Sequence, residues 1–262
     1  MVPQIRKYPR TQHLRGSRSQ PGDDDLDDAS WDSLRGRFLV IEEKVDGANA
    51  AIRFNSNGDL FLQSRGHYLV GGANERQWDR FKAWAAMMRG DLWDVLGDRY
   101  VMYGEWLYAK HTMFYDALPH YFLEFDILDT HENQFLSTAR RRQLCELLEL
   151  ESVPVLWEGI FQSRRAALSL IGRSRYQSAN WRDSLIRIAE TRRLDPQQIL
   201  HETDASDLAE GLYLKLEENG IVVDRYKYVR ADFLQCILDS GSHWKNRPLF
   251  PNQILGESHE LV

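Results

Sequence analysis

At 262 residues, 43% of them hydrophobic, the chain can bury one large core or two modest ones. Its formal net charge of −6 excludes wholesale electrostatic coating of a nucleic acid, so any polynucleotide partner has to be held by a local basic patch. No apolar run is long enough to span a bilayer and the first 30 residues lack the apolar segment of a secretory signal, so a cytoplasmic protein without a membrane partner is expected.

The start of the chain is basic over 1–10 and acidic over 22–28, with Arg, Ser, Gln and Gly between, so 1–30 reads as an extended arm. A packed core begins near Trp31. "RFLVIEEKVDGANAAIRFNSNGDLFLQSRG" alternates as antiparallel strands, with positive φ expected at Asn57 and Gly58 in the turn. "NERQWDRFKAWAAMMRGDLWDVLG" places Trp78, Phe81, Trp84 and Ala85 at helical spacing, which predicts one amphipathic helix from an Asn74 cap to Gly97. Strands "RYVMYGEWLYAKH" and "HYFLEFDILDT" follow, then a helix "TARRRQLCELLEL" and a short strand "VPVLWEG". An Arg-rich helical stretch runs over about 162–200, and "GLYLKLEENGIVVDRYKYVR" forms two strands around Asn219-Gly220. Cys145 and Cys236, in apolar helix-like settings, read as buried, reduced thiols with neither a disulfide framework nor a zinc pattern. Antiparallel strands with grouped helices indicate an α+β fold.

Lys44 stands at a strand end before the turn-forming dipeptide Asp46-Gly47, where its amine can be exposed as a nucleophile. An ordinary lysine pKa of about 10.4 leaves roughly one molecule in a thousand neutral near pH 7.5, a deficit of about 4 kcal/mol. Neighbouring cations or a metal would offset it, and Lys215, Arg225 and Lys227 alternate on strands that can face the same cleft. Each of these cations, taken alone, also reads as a solvated strand face. Glu105, Asp126 and Glu210 interrupt or border apolar strands, where an unpaired charge is unfavourable, so each needs a partner: an arginine, a backbone amide, a ribose hydroxyl or a hydrated magnesium ion. Phe125 reads either as a core aromatic or as a ring stacked on a purine.

"KVDGAN" resembles the nucleotidyl-lysine motif of covalent nucleotidyltransferases, the superfamily of ATP-dependent DNA ligases, RNA ligases and messenger-RNA capping guanylyltransferases. "LQSRG", "YGEW", "FLEFDI", "EGLYLK" and "DRYKYV" are similar, in that order, to motifs Ia, III, IIIa, IV and V. The wording of "YGEW" and "FDI" is closer to the RNA ligase 2 group than to DNA ligases, and "KYPRTQHLRGSR" is similar to the start of bacterial ligases of that type. The resemblance covers residues 42–230.

It implies that Lys44 attacks the α-phosphorus of ATP to form lysyl-AMP. Arg65 would contact the nucleotide or the incoming 5′-phosphate, Glu105 the ribose and Glu43 the adenine amino edge, with Phe125 stacking on adenine and Asp126 supporting that strand. Glu210 would hold Mg2+ or Mn2+ and its waters beside Lys44 and help lower its pKa, while Lys215 and Lys227 neutralise phosphate charge. The motif residues Asp46, Gly47 and Asn49 join the candidate set. Motif V of this group usually carries lysine where Arg225 stands; the charge is kept, but a planar guanidinium is a different phosphate ligand. AMP would then pass to an RNA 5′-phosphate, and a 3′-hydroxyl would displace it, as in RNA repair beside an end-healing kinase or phosphatase.

The implied fold is a nucleotidyltransferase domain over 31–230 with a helical insert at about 162–200 and a C-terminal helix and tail at 231–262. An OB-fold needs about five strands and does not fit after Arg230. The insert reads equally as a substrate surface or a solvated helical pair. A DNA nick ligase, another nucleotidyltransferase and a non-catalytic nucleotide-binding module are the alternatives.

Overall fold

The computed structural model describes residues 2–17, 28–239 and 247–256. Of the acidic run at 22–28 only Asp28 falls within them, and the side chain of Asn74, expected as a helix cap, lies outside the described part. In chain order the strands are β1 (Gln12–His13), β2 (Phe38–Lys44), β3 (Ala48–Phe54), β4 (Leu60–Ser64), β5 (Tyr100–Trp106), β6 (Phe122–Asp129), β7 (Gln134–Leu136), β8 (Val155–Ile160), β9 (Gly211–Glu218) and β10 (Ile221–Val229). The helices are α1 (Asp79–Met87), α2 (Arg89–Leu96), α3 (Thr138–Leu147), α4 (Arg164–Leu168), α5 (Trp181–Thr191), α6 (Pro196–His201) and α7 (Ala231–Asp239). Among the described residues no helix is long and apolar enough to cross a membrane.

The fold is α+β, a large antiparallel sheet flanked by helices, in the order β4-β3-β5-β6-β7-β10-β9-β2-β8 with β1 parallel to β10. Turn chemistry sets the hairpins. Asn219 and Gly220 take φ of 52° and 78°, the pair of left-handed residues that a two-residue turn between twisted strands requires. At the earlier turn only Gly58, not Asn57, has positive φ, at 74°. There the Asn55 side-chain oxygen accepts from the Asn57 and Asp59 amides, so an Asx turn replaces the left-handed asparagine.

The single helix expected from Asn74 to Gly97 is three pieces: a 3-10 turn at Ala73–Trp78, then α1 and α2, which break at Met88. A straight helix of that length would run roughly 36 Å. Breaking it lets Phe81 and Ala85 of the first half and Leu92 and Leu96 of the second reach one core with Ile52, Met102 and Phe122 of the sheet. Cys145 is buried as expected, but Cys236 is half-buried on α7; both are free thiols.

Strands β2 and β3 are consecutive in the chain yet stand at opposite ends of the sheet order, each next to an edge strand, so residues 45–47 cross from one end of the sheet to the other. They can do so because the sheet curls. Lys215 on β9 lies 3.7 Å from Asp126 on β6 although β10 and β7 separate those strands in the ladder. One curl face is closed by Leu212, Leu214 and Leu216 against Trp31 and Phe161, while alternation turns Tyr213 and Lys215 inward.

Helix α3 locks the curl through Arg141, which is 0% exposed and donates to Glu42 of β2 and, at 2.5 Å, to Glu124 of β6. Both carboxylates are fully buried, and burial notwithstanding, their charges hold the guanidinium pKa well above its ordinary value. Replacing Arg141 with Met leaves two buried carboxylates uncompensated. We expect R141M to lose about 3–5 kcal/mol in urea unfolding, and R142M, at an exposed position, less than about 0.5 kcal/mol.

Candidate active site

Lys44 ends β2 opposite Gly211 of β9. This register brings Glu210, the residue before Gly211, alongside, and the Lys44 Nζ lies 2.7 Å from each of its carboxylate oxygens. Only glycine fits at 211, since a Cβ there would stand 1.9 Å from the Tyr228 carbonyl oxygen. Buried Arg230 fixes the approach to Glu210 by donating to the carbonyls of Ala209 and Leu208, at 2.8 and 3.1 Å, and pairing with Asp204.

The turn after Lys44 is clamped from the loop that follows β5. Asp46 accepts from the Thr112 and Met113 amides at 2.7 and 2.8 Å, and its own amide donates to the Tyr115 hydroxyl at 2.8 Å. Tyr115 is held in turn by Asn252, whose Oδ1 accepts from the Tyr115 amide while Nδ2 donates to the Leu107 carbonyl. Gly47 fits because a Cβ would meet Leu107 at 2.6 Å and the Trp106 carbonyl at 2.8 Å. Glu105 pairs in register with Asn49 and accepts the Gly47 amide.

Three carboxylates therefore surround the lysine, where cations were expected. Burial alone would pull the Lys44 pKa down, but the charge and hydrogen bond of Glu210, then Glu105 and Asp46, outweigh it and raise it above the ordinary value. Burial pushes Glu105 up to about 8 against the pull of Lys44. Burial, opposed by Lys44, likewise pushes Glu210 up to about 7. Asp46 goes the other way: despite burial, hydrogen bonds from His111 and the Met113 amide hold it low.

Two of the three expected cations, Lys215 and Arg225, are engaged elsewhere. Lys215, 0% exposed, pairs with Glu42 at 3.0 Å and donates to the Phe125 carbonyl. Arg225 donates to Asp126 at 2.9 Å and covers the Phe135 ring at 3.7 Å, so its planar fork is used on a carboxylate and an aromatic face. Lys227, half-buried on β10, is the member of this set whose charge acts on Glu210.

The remaining candidates divide. Phe125 sits at a bulge, where the β5–β6 register jumps from Tyr103↔Asp126 to Gly104↔Glu124, and is half-buried with Tyr8 edge-on at 5.0 Å. Asp126 is fully buried beside it. Glu43 is directed to the Arg175 amide, 3.3 Å away, and Ser174, and burial raises its pKa. Arg65 is exposed just beyond β4, outside the lysine cluster. Asn49 presents a buried side-chain oxygen with no partner among the described residues, beside Glu105.

Reading the sequence missed Glu42, Arg141 and Glu124, the Tyr8 and Tyr213 hydroxyls, and the Tyr115–Asn252 brace. The signal for the first three was there: a glutamate inside an apolar strand requires a buried cation, and Arg141 lies on the helix facing both.

Among the described residues no preassembled group of three or more His, Cys, Asp or Glu is placed to hold a metal. The oxygens of Glu210 and Glu105 are hard donors of the kind magnesium and manganese take, and in this arrangement the Lys44 ammonium stands among them.

The RNA ligase family model matches residues 37–229. Among solved structures, one variant of the RNA ligase of Naegleria gruberi with ATP and Mn aligns at a TM-score of 0.52 and 16% identity, covering 79% of this chain and 53% of that one. Another, with AMP and Mn, aligns at 0.54 and 15% identity, covering 91% and 60%. These likenesses show the fold, and the chain spans a little over half the length of those ligases. No curated protein matches the chain.

Glu105 gives the site a measurable pH signature. Its pKa in the folded chain, about 8, lies above the ordinary 4.5, so its contribution to stability is complete below about pH 4.5 and is lost as pH rises through about 8. E105Q keeps an acceptor for the Gly47 amide and removes the titration. The stability of the wild type relative to E105Q, read as Tm, should therefore fall as pH is raised from about 5 to about 9; a flat difference would contradict this.

Proposed function

The chain belongs to the RNA ligase family, and we propose that it is an ATP-dependent RNA ligase that joins 5′-phosphate to 3′-hydroxyl ends through lysyl-AMP at Lys44. The observation that carries this reading is the Lys44–Glu210 pair, 2.7 Å apart at the rigid crossing between the two ends of the sheet.

The residues around the pair can meet the requirements of the first step. Lys44 rests as an ammonium, and Glu210, whose carboxyl titrates at about 7, is the nearest group able to take its proton. The freed amine lone pair then forms a bond to the α-phosphorus of ATP, and the bond to pyrophosphate breaks, its electrons leaving on that group. The Asp46 clamp and the Gly47 packing hold the amine in place, which is where positioning contributes to the rate. Lys227 supplies fixed positive charge near the developing phosphate charge. Lys215 and Arg225 act one layer back, fixing the Phe125–Asp126 strand.

A divalent cation bound with the nucleotide would neutralise triphosphate charge, and Glu210 and Glu105 are this chain's oxygen donors for it. Phe125 at its bulge offers a ring for adenine, and Glu105 beside Asn49 offers acceptors for the ribose. Arg65, exposed just beyond β4, is assigned to the nucleotide or the incoming 5′-phosphate. We place the activity in RNA repair in the cytoplasm, downstream of an end-healing kinase or phosphatase that leaves 5′-phosphate and 3′-hydroxyl ends.

The test is covalent labelling with α-labelled ATP and magnesium. The wild type should become labelled and K44A should not; label retained by K44A would sink the proposal. Because Lys44 must lose a proton from a raised pKa, the labelling rate should climb as pH increases above neutrality. Sealing of nicked duplexes with RNA or DNA on the 3′-hydroxyl side, and ATP against GTP as donor, separates an RNA ligase from its relatives.

A further inference from the structure

Residues 2–17 contain Arg6, Lys7, Arg10 and Arg15 and no carboxylate, in a chain whose formal net charge is −6. All four cationic side chains are exposed. The segment that carries them is nonetheless fixed. Arg53 donates to the Gln4 carbonyl at 2.9 Å, and Gln63 and Tyr103 donate to the Arg6 carbonyl at 2.8 and 2.9 Å. The Tyr8 hydroxyl donates to Asp126 at 2.7 Å, and its ring packs among Tyr103, Phe125 and Phe135. The Thr11 and Tyr213 hydroxyls are 2.8 Å apart, β1 pairs with β10, and Trp31 donates to the Arg15 carbonyl at 3.0 Å.

Anchoring thus uses backbone carbonyls and the Tyr8 and Thr11 hydroxyls and leaves the charged side chains at the surface. Ordering an extended chain costs roughly 1–2 kcal/mol per residue, a cost these anchors offset. From Arg6 to Arg15 the strip spans up to about 30 Å. It is continuous with the candidate site, because His13 lies opposite Lys227, whose charge acts on Glu210. At its far end Gly16 packs on the Arg164 guanidinium, which stands over Trp31. Among the described residues, the carboxylates bordering the strip include Asp224, which accepts from the Tyr226 hydroxyl and lines the depression formed by Pro9, Arg10 and Gln12, and Asp28, beside Ala29, whose backbone pairs with His13 and Arg15.

We propose that residues 4–16 form a fixed cationic strap that holds the phosphate backbone of an RNA strand leading into the Lys44 site. The identity of that strand rests on the RNA ligase reading; the strap itself rests on the anchoring and the charge. Rigid spacing suits phosphate contacts, which position a strand without reading its sequence.

The experiment compares wild type, R6Q/K7Q/R10Q/R15Q, and R187Q/R192Q/R193Q, which removes exposed arginines from α5 and the residues after it. Binding of a 5′-phosphorylated RNA oligonucleotide is followed by fluorescence anisotropy across a series of salt concentrations, with lysyl-AMP formation measured in parallel. Neutralising the strap should flatten the dependence of log affinity on log salt by about 0.7 for each phosphate that the strap no longer neutralises, about 3 for all four. Lysyl-AMP formation should match wild type, showing that the site is intact. An unchanged salt slope overturns the strap, as does a slope that flattens only in the insert variant. Failure of the wild type to form lysyl-AMP overturns the ligase reading instead, while the salt slopes still decide the strap.

Discussion

Six buried or nearly buried charges hold this molecule in shape. Glu42, Glu124 and Asp126 face Arg141, Lys215 and Arg225, and the members come from β2, β6, β9, β10 and α3. The set is neutral as a whole, with every carboxylate satisfied by at least one cation. Burying such charges gains little over a well-packed apolar core, but removing one partner is severe. The consequence is geometric: a sheet that could lie open is tied into a curl, since Lys215 of β9 has to meet β6 across the intervening strands.

The electrostatics of the lysine follow from that arrangement. Because Glu42 and Asp126 absorb Lys215 and Arg225, the charges that act most on Lys44 are the carboxylates of Glu210, Glu105 and Asp46. A lysine crowded by ammonium groups would be kept neutral by repulsion; this one is kept charged and given a proton acceptor. Two of its carboxylate neighbours are held high by burial, at about 7 and about 8, in the range where a proton can be exchanged near neutral pH. In the proposed reaction, the readiness of Lys44 would rest on proton transfer and on the arrival of nucleotide charge more than on a depressed resting pKa.

Rigidity at the crossing has a separate source. The Asp46 turn is held by the amides of 112 and 113 and by the Tyr115 hydroxyl, and Asn252 braces Tyr115 from the end of the described chain. Asn252 is fully buried and also accepts from the Tyr121 hydroxyl through its carbonyl, so a short segment near the C-terminus ties down the loop that clamps the residue after next from the lysine. The N-terminal segment makes the corresponding closure at the other side, through Tyr8 on Asp126.

Alternation, turn dipeptides and motif order determined the α+β class, the strands that carry Lys44, Glu105, Asp126, Lys215 and Lys227, and the Asn219-Gly220 hairpin, because those properties are set by residues within a few positions of one another. The break in the helix at Met88 escaped a reading of periodicity, since it is decided by which apolar residues can reach a shared core. A glutamate inside an apolar strand signals that a buried cation is needed, but which cation answers it is decided in space: Arg141 sits in a polar helix and looks exposed, yet it is fully buried between two glutamates that lie 99 and 17 residues away in the chain. The same holds for the surroundings of Lys44. Charge pairing acts through space over a few ångströms, and only the curl of the sheet decides which carboxylates come within that distance of which cations.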